Sequence, residues 1–190
     1  MNWYKQAQRQ VINDYNKLLE QAISSIEIVG SGKSESLSIP GASQTITAND
    51  LLQRVKQRIG PILMENHVTQ IDTSPISKPN AQGLAISHEP GKIFVDVRKI
   101  FESARQALPP TVQLDGTQPD PDAANSIIAR IGQWIEEELT ETSAHESFHS
   151  HDFVDAFQNK QPFNTVHESP AQQFGKKIRQ RIFPNTEFKQ

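Results

Sequence analysis

The chain has 190 residues, a formal net charge of −3 and no cysteine. This length suits one domain, or one domain with an added subdomain, and it allows a core to be buried without covalent cross-links. The slightly acidic balance argues against a general nucleic-acid-binding protein, which needs a basic face. Without cysteine the sequence excludes disulfides and thiolate sites, so any metal must be held by His, Asp and Glu.

The polar N-terminal segment lacks the apolar run of a signal peptide, and no stretch of the sequence approaches the length that spans a bilayer. We therefore expect a soluble, cytoplasmic protein without a membrane or nucleic-acid partner. The oligomeric state does not follow from the sequence.

Residues 1–66 form a predicted N-terminal helical region, which either packs on the rest of the chain or belongs to the same domain. Apolar residues recur at helical spacing across residues 11–23, a pattern that predicts an amphipathic helix. Short strands are expected at residues 26–29 and 36–39, on either side of the turn Gly30-Ser31-Gly32.

A second helix is expected to begin near Thr47, whose hydroxyl can cap the first turn, with Asp50 close to the positive helix end. Apolar residues continue at helical spacing from 51 to 63. Within this stretch Gly60-Pro61 should kink or end the helix. Residues 73–80 are rich in Pro and Ser, which predicts a loop.

A hairpin is predicted next. Apolar segments at residues 84–86 and 93–97 flank Glu89-Pro90-Gly91. Pro followed by Gly suits the two central positions of a type II turn. Residues 98–108 then predict a helix.

The second half of the chain is predicted to be mainly helical, after a loop at residues 111–121. Residues 122–157 contain no proline and one glycine, Gly132, and their apolar stripe predicts one long helix or two abutting ones. After a break at residues 160–164, a last helix should begin at Ser169-Pro170, with the serine as its cap.

Two charged runs in these helices are interpreted as solvated surfaces. One is Glu136-Glu137-Glu138, and the other is the basic run at residues 176–181. Charged residues on a helix most often face water, and basic residues in a last turn favour the negative helix end.

The segment His145-Glu146-Ser147-Phe148-His149 carries the most specific chemistry. His145 and His149 are four residues apart, so on a helix both lie on one face and can bind a single zinc ion. Glu146 then lies beside the open coordination position, where it can take a proton from bound water and return it to a leaving group. The pattern predicts a zinc-dependent hydrolase with Glu146 as its catalytic base.

A catalytic zinc needs a third protein ligand, and three downstream residues compete for that role. Glu168 lies at the start of the last predicted helix, His167 is adjacent to it, and Asp155 lies ten residues after His145. If the helix continues past His149, Asp155 lies on a different helical face and points away from the metal. We therefore rank Glu168 first, Asp155 second and His167 third.

The motif His-Glu-x-x-His, followed by Glu168-x-x-Ala171-x-x-Phe174-Gly175, resembles the gluzincin metallopeptidases, and most closely the minimal zinc-peptidase domains of the ImmA/IrrE type. The resemblance covers about the last third of the chain and the preceding hairpin. It implies a mainly helical α+β, zincin-like domain in residues 67–190, with a small mixed or antiparallel sheet next to the metal-binding helix.

The same resemblance implies one zinc ion held by His145, His149 and Glu168, and a peptide or protein as substrate. It also implies that an edge strand lies over the cleft and pairs with an extended peptide. The best candidate for that strand is residues 94–97.

The group that stabilises the oxyanion stays open at this point. Tyr4 and Tyr15 lie in the first helix, whereas His151 and His167 are nearer to the motif. His151 is interpreted first as a solvated helix residue. Two alternatives to an active peptidase also stay open. One is a zinc-stabilised regulatory or interaction module without turnover, and the other is a chance match that binds no metal.

Overall fold

The computed structural model describes residues 3–109, 120–160 and 168–184. In those ranges five α-helices and six short strands form a mainly helical α+β fold, as the sequence predicts. The helices are α1 (Trp3–Ser25), α2 (Ala48–Glu65), α3 (Val97–Gln106), α4 (Pro121–Gln158) and α5 (Glu168–Ile182). The strands are β1 (Glu27–Val29), β2 (Ser36–Ser38), β3 (Thr45–Thr47), β4 (Gln70–Asp72), β5 (Gly83–Ala85) and β6 (Lys92–Val95).

The main sheet is mixed and has the strand order β1-β4-β6-β5. β4 pairs in parallel with β1 and with β6, and β5 pairs antiparallel with β6, with Leu84 opposite Phe94. β2 and β3 form a separate antiparallel pair. The two strands expected around Gly30-Ser31-Gly32 therefore exist, but they belong to different sheets.

The edge strand of the main sheet differs from the expectation. Residues 94–97 were expected to form the edge, but β6 lies between β4 and β5, and Val97 already begins α3. Within the hairpin, β6 pairs with β5 on one side and with β4 on the other, so β5 is the outermost strand. The edge next to β6 is thus Gly83–Ala85.

The hairpin turn has the predicted geometry. The amide of Lys92 donates to the carbonyl of Glu89 at 3.2 Å, and Gly91 has a φ of +86°. A positive φ at the third position, after proline at the second, defines a type II turn. Glycine is the residue that adopts this φ without steric cost.

The predicted start of α2 is confirmed, because the Thr47 hydroxyl accepts from the amide of Asp50 at 3.3 Å. The helix does not end at Gly60-Pro61, however, and continues to Glu65. The proline removes one main-chain donor, but buried side chains such as Ile59 and Leu63 on either side hold the helix against the core. Gly60 allows α1 to approach, since a Cβ there would lie 2.6 Å from Ile23.

The long helical segment forms one helix, α4, with Asp120 capping the amide of Ala123. The last helix begins at Glu168, so Ser169 lies inside it and does not cap it. Most of the loop expected at residues 111–121, most of the break expected at residues 160–164, and His167 lie outside the described residues.

The core lies between the main sheet and helices α2, α3 and α4. It includes the buried residues Leu52, Ile71, Ile93, Phe101, Ile135 and Leu139. Residues on both sides of position 66 contribute to this core, and β1 pairs with β4 across that position. No helix within residues 3–109, 120–160 and 168–184 combines the length and apolar character needed to cross a membrane.

Candidate metal centre

Three side chains from α4 and α5 converge on one point. The Nε2 atoms of His145 and His149 are 3.2 Å apart. Oε1 of Glu168 lies 3.4 Å from Nε2 of His145, and its Oε2 lies 3.4 Å from Nε2 of His149. Two ligands about 2.1 Å from a tetrahedral zinc ion lie about 3.4 Å from each other. The spacing and the donor set therefore fit a zinc ion.

The structure separates two of the three candidates for the third ligand, Glu168 and Asp155. Glu168, the first-ranked candidate, lies at the histidine pair. Asp155 lies instead with His151, whose Nδ1 is 3.7 Å from its Oδ2. α4 continues without a break past His149, so Asp155 is carried to another face. His167 lies outside the described residues.

Small residues bring the helix that carries Glu168 close to α4. Ala171 is fully buried. A Cβ at Gly175 would lie 2.8 Å from the main-chain oxygen of Glu141 and 3.2 Å from Cβ of His145. Glu168 lies seven residues before Gly175, or about two helical turns, so both lie on the same face. The close approach of the helices therefore places Glu168 over the histidines.

Arg179 connects the same two helices through a partly buried ion-pair cluster. Its guanidinium donates to Glu137 at 2.9 Å, Glu138 at 2.8 Å and Glu141 at 2.9 Å. Glu137 is 0% exposed. A charge buried to this extent requires a partner, and Arg179 supplies it.

Glu136 forms a matching connection to α2. Its Oε2 lies 3.0 Å from Nε of Arg54, and its Oε1 lies 2.8 Å from Nε of Arg58. The interpretation of Glu136-Glu137-Glu138 as a solvated surface is therefore wrong, because Glu136 and Glu137 are buried and join helices to each other. In the basic run the same correction applies to Arg179 alone, since Lys176, Lys177 and Arg181 are exposed. The spacing of two glutamates indicates where the Arg179 cluster lies relative to His145. Glu137 and Glu141 precede His145 at intervals of four, so they share its helical face.

Glu146 is buried beside the edge strand. Its carboxylate accepts a hydrogen bond from the amide of Ala85 in β5, and it packs against Gly83, where a side chain would collide with it. Its Oε1 lies 3.7 Å from Nε2 of His145. Burial, together with the negative charge of Glu168, raises the pKa of Glu146 to about 8. Burial lowers the pKa of His145, which favours the neutral imidazole that binds metal.

A cleft of about 800 Å³ opens over these residues. β5 and the loop before it form one wall, and α4 and α5 form the other. Lys78, Gln172 and Lys176 line the cleft and are polar groups that the sequence reasoning missed. The last two follow Glu168 at intervals of four on α5, so helical spacing could have found them. Lys78 lies in a Pro- and Ser-containing loop that carries no such signal.

Three of the four expected oxyanion-stabilising candidates lie away from the cleft, and the fourth, His167, lies outside the described residues. Tyr4 and Tyr15 are 57% and 62% exposed on α1. His151 is not among the described residues that line the cleft, and it lies with Asp155 on another face of α4. Lys78, Gln172 and Lys176 are therefore the nearer donors.

Ser147, inside the motif, anchors α4 from its other side. Nδ2 of Asn66, at the end of α2, donates to Oγ of Ser147 at 2.8 Å, and this hydroxyl donates to the carbonyl of Ala144 at 2.8 Å. Both side chains are buried. The bond fixes the rotation of the motif helix relative to α2, and with it the direction of the two histidines.

No family model, curated protein or solved structure matches the chain. The geometry of the site and the resemblance of its motif are therefore the two observations from which a function can be argued.

Proposed function

We propose that the protein is a zinc-dependent metallopeptidase that hydrolyses a peptide bond at the centre formed by His145, His149 and Glu168. The observation that carries this proposal is the convergence of one carboxylate on two imidazole nitrogens, at spacings of 3.2 and 3.4 Å. These distances match the separation of ligands around a tetrahedral zinc ion. One zinc ion is the cofactor that this donor set fits.

A zinc ion held there would polarise the scissile carbonyl and lower the pKa of the attacking water. Glu146 takes a proton from that water and returns it to the leaving nitrogen. Its raised pKa, about 8, lies close to neutral pH, where both the ionised form that accepts a proton and the protonated form that donates one are populated. The amide of Ala85 and the backbone at Gly83 keep the carboxylate in place.

The substrate is proposed to be an extended peptide. β5 lies at the edge of the sheet and along one wall of the cleft. An extended chain can add to such an edge through main-chain hydrogen bonds. Gly83–Ala85 takes the role that the sequence assigned to residues 94–97. Peptide as the substrate class rests on the family resemblance together with this edge.

A second candidate function is a zinc-binding regulatory or interaction module with little or no turnover. It is favoured by the hydrogen bond from the Ala85 amide to Glu146. That bond stabilises the ionised carboxylate and competes with its transfer of protons.

Zinc content and hydrolysis of an unfolded protein substrate, both measured on the purified full-length chain, test the proposal. Glu146→Gln should keep the zinc content of the wild type and lose hydrolysis, whereas Glu168→Gln and His145→Ala should each lose the zinc equivalent of this centre as well. Glu102→Gln, on the exposed face of α3, is a control for replacing a carboxylate. Stoichiometric zinc without hydrolysis would favour the regulatory module. Hydrolysis that survives Glu146→Gln would refute the assigned mechanism, and a protein without stoichiometric zinc would refute both candidates.

A further inference from the structure

A second group of metal-binding side chains lies away from the cleft. His67 follows α2, and His151 and Asp155 belong to α4. One ligand atom from each of the three lies within 4.8 Å of the others. His151 is two residues after His149, or about 200° around the helix, so it faces away from the first centre. We propose that His67, His151 and Asp155 form a second site, which binds a divalent cation of the Zn²⁺, Co²⁺ or Ni²⁺ type.

The donor set suits such a cation. Imidazole nitrogens and one carboxylate oxygen are ligands that these ions take readily, and water can complete the coordination. His151 and Asp155 are separated by four residues on α4, and Nδ1 of His151 lies 3.7 Å from Oδ2 of Asp155. Oδ1 of Asp152 lies 3.8 Å from the same Nδ1. The Asp155 carboxylate thus supplies negative charge at the point where the cation would bind, and the Asp152 carboxylate lies beside His151.

The third ligand comes from a corner with a defined conformation. His67 has a φ of +61° and donates from its amide to the carbonyl of Met64 at 2.9 Å. Its neighbour Asn66 is buried and bonds to Ser147 of α4 at 2.8 Å. The backbone that presents His67 is therefore attached to the same helix that carries His151 and Asp155. Such preorganisation lowers the entropic cost of binding.

The imidazole rings of His67 and His151 lie next to each other. The centroids of His67 and His151 are 5.8 Å apart, and their planes differ by 21°. His67 is exposed and the Asp155 side chain is 50% exposed, so a cation can reach both from solvent. A cation at this point would link the end of α2 to the C-terminal half of α4, outside the cleft.

Metal stoichiometry of the full-length protein tests the second site. After equilibrium dialysis against micromolar Zn²⁺, the wild-type protein should bind two equivalents. His67→Asn and His151→Gln should each bind one. Asparagine tolerates the positive φ at position 67, so the backbone of the corner is kept. His88→Gln removes an exposed histidine that pairs only loosely with Glu89, at 3.8 Å, and should bind two equivalents.

The two centres are distinguished by their variants. His145→Ala should keep only the zinc equivalent of the second site, whereas His67→Asn should keep only that of the first centre. The double variant His145→Ala/His67→Asn should bind no zinc. Zn²⁺ should also raise the melting temperature of His145→Ala, but not that of His145→Ala/His67→Asn. The second site is refuted if folded His67→Asn and His151→Gln bind as many equivalents as the wild type. That result would leave the proposed peptidase centre untouched.

Discussion

Gly175 of α5 lies directly against His145 of α4, so close that a Cβ at position 175 would lie 3.2 Å from the histidine Cβ. The same Cβ would lie 2.8 Å from the main-chain oxygen of Glu141, which cannot move without disturbing α4. This contact sets the distance between the two helices that carry the proposed ligands. A substitution at Gly175 should therefore disturb the proposed metal centre, although residue 175 is not one of the proposed ligands.

We expect Gly175→Val to displace α5 and move Glu168 away from the histidines. Zinc affinity at the proposed centre should fall by about 10–100-fold, the range seen when supporting residues of metal sites are lost. Competition with a chromophoric chelator measures the change. Gly132→Ala on α4 is the control, because its Cβ would meet the flexible end of Ile46 at 3.1 Å. A folded Gly175→Val that binds zinc like the wild type would contradict this account.

Arg179→Met should destabilise the fold. The substitution leaves Glu137, which is 0% exposed, without its guanidinium partner. Breaking one side of a buried ion pair costs about 3–5 kcal/mol, and the free energy of unfolding from urea titration should fall by that order. Arg98→Gln breaks the exposed pair with Glu102 and should change the free energy of unfolding far less, because water screens an exposed ion pair. Equal effects of the two variants would show that the Arg179 cluster is not structural.

Stability of the metal-free protein should depend on the protonation of Glu146. The folded state raises the pKa of this carboxyl from 4.5 to about 8, so between these values the folded chain holds a proton that the unfolded chain has released. Stability contributed by that proton is complete below pH 4.5 and is lost as the pH rises towards 8. Glutamine does not ionise, so the Glu146→Gln variant should not lose this stability as the pH rises.

The melting temperatures of the metal-free wild type and Glu146→Gln should therefore be similar at low pH. The variant should become progressively more stable than the wild type as the pH approaches 8. Differential scanning calorimetry with a chelator present measures the gap. A gap that stays constant across this interval would show that Glu146 does not carry the raised pKa.

Residues 3–18 of α1 should be the least protected helical segment in amide hydrogen exchange. Every residue from 3 to 18 is exposed, and large apolar side chains such as Tyr15 and Leu18 are 62% and 65% exposed. An isolated helix of this length is marginal in water. Amides of residues 3–18 should exchange many times faster than those in the buried part of α2. Equal protection of the two helices would contradict this prediction.

Several local features were predictable because short-range chemistry decides them. The cap at Thr47 depends on a hydroxyl and an amide three residues apart. The hairpin turn depends on Pro90 and Gly91 alone. His145, Glu146 and His149 are grouped by helical spacing, in a segment free of proline. The sequence therefore predicted the α+β class, the long helix and the core of the proposed site.

Features that depend on residues far apart in the chain were missed or left open. β3 and β4 have three residues each, too few for an alternating pattern, and they exist because partner strands pair with them. Arg179 and Glu137 are 42 positions apart, so their pairing could not be read from either charged run. Partners at such distances are chosen by the packing of the helices.

By itself, the sequence determined which residues of the motif share one helical face, because the helical repeat acts over a few residues. Only the tertiary structure decided that Glu168, and not Asp155, lies at the histidines, and that Asp155 lies with His67 and His151. That choice depends on α4 continuing past His149 and on α5 packing closely at Gly175. Both are consequences of contacts between segments, which no local pattern encodes.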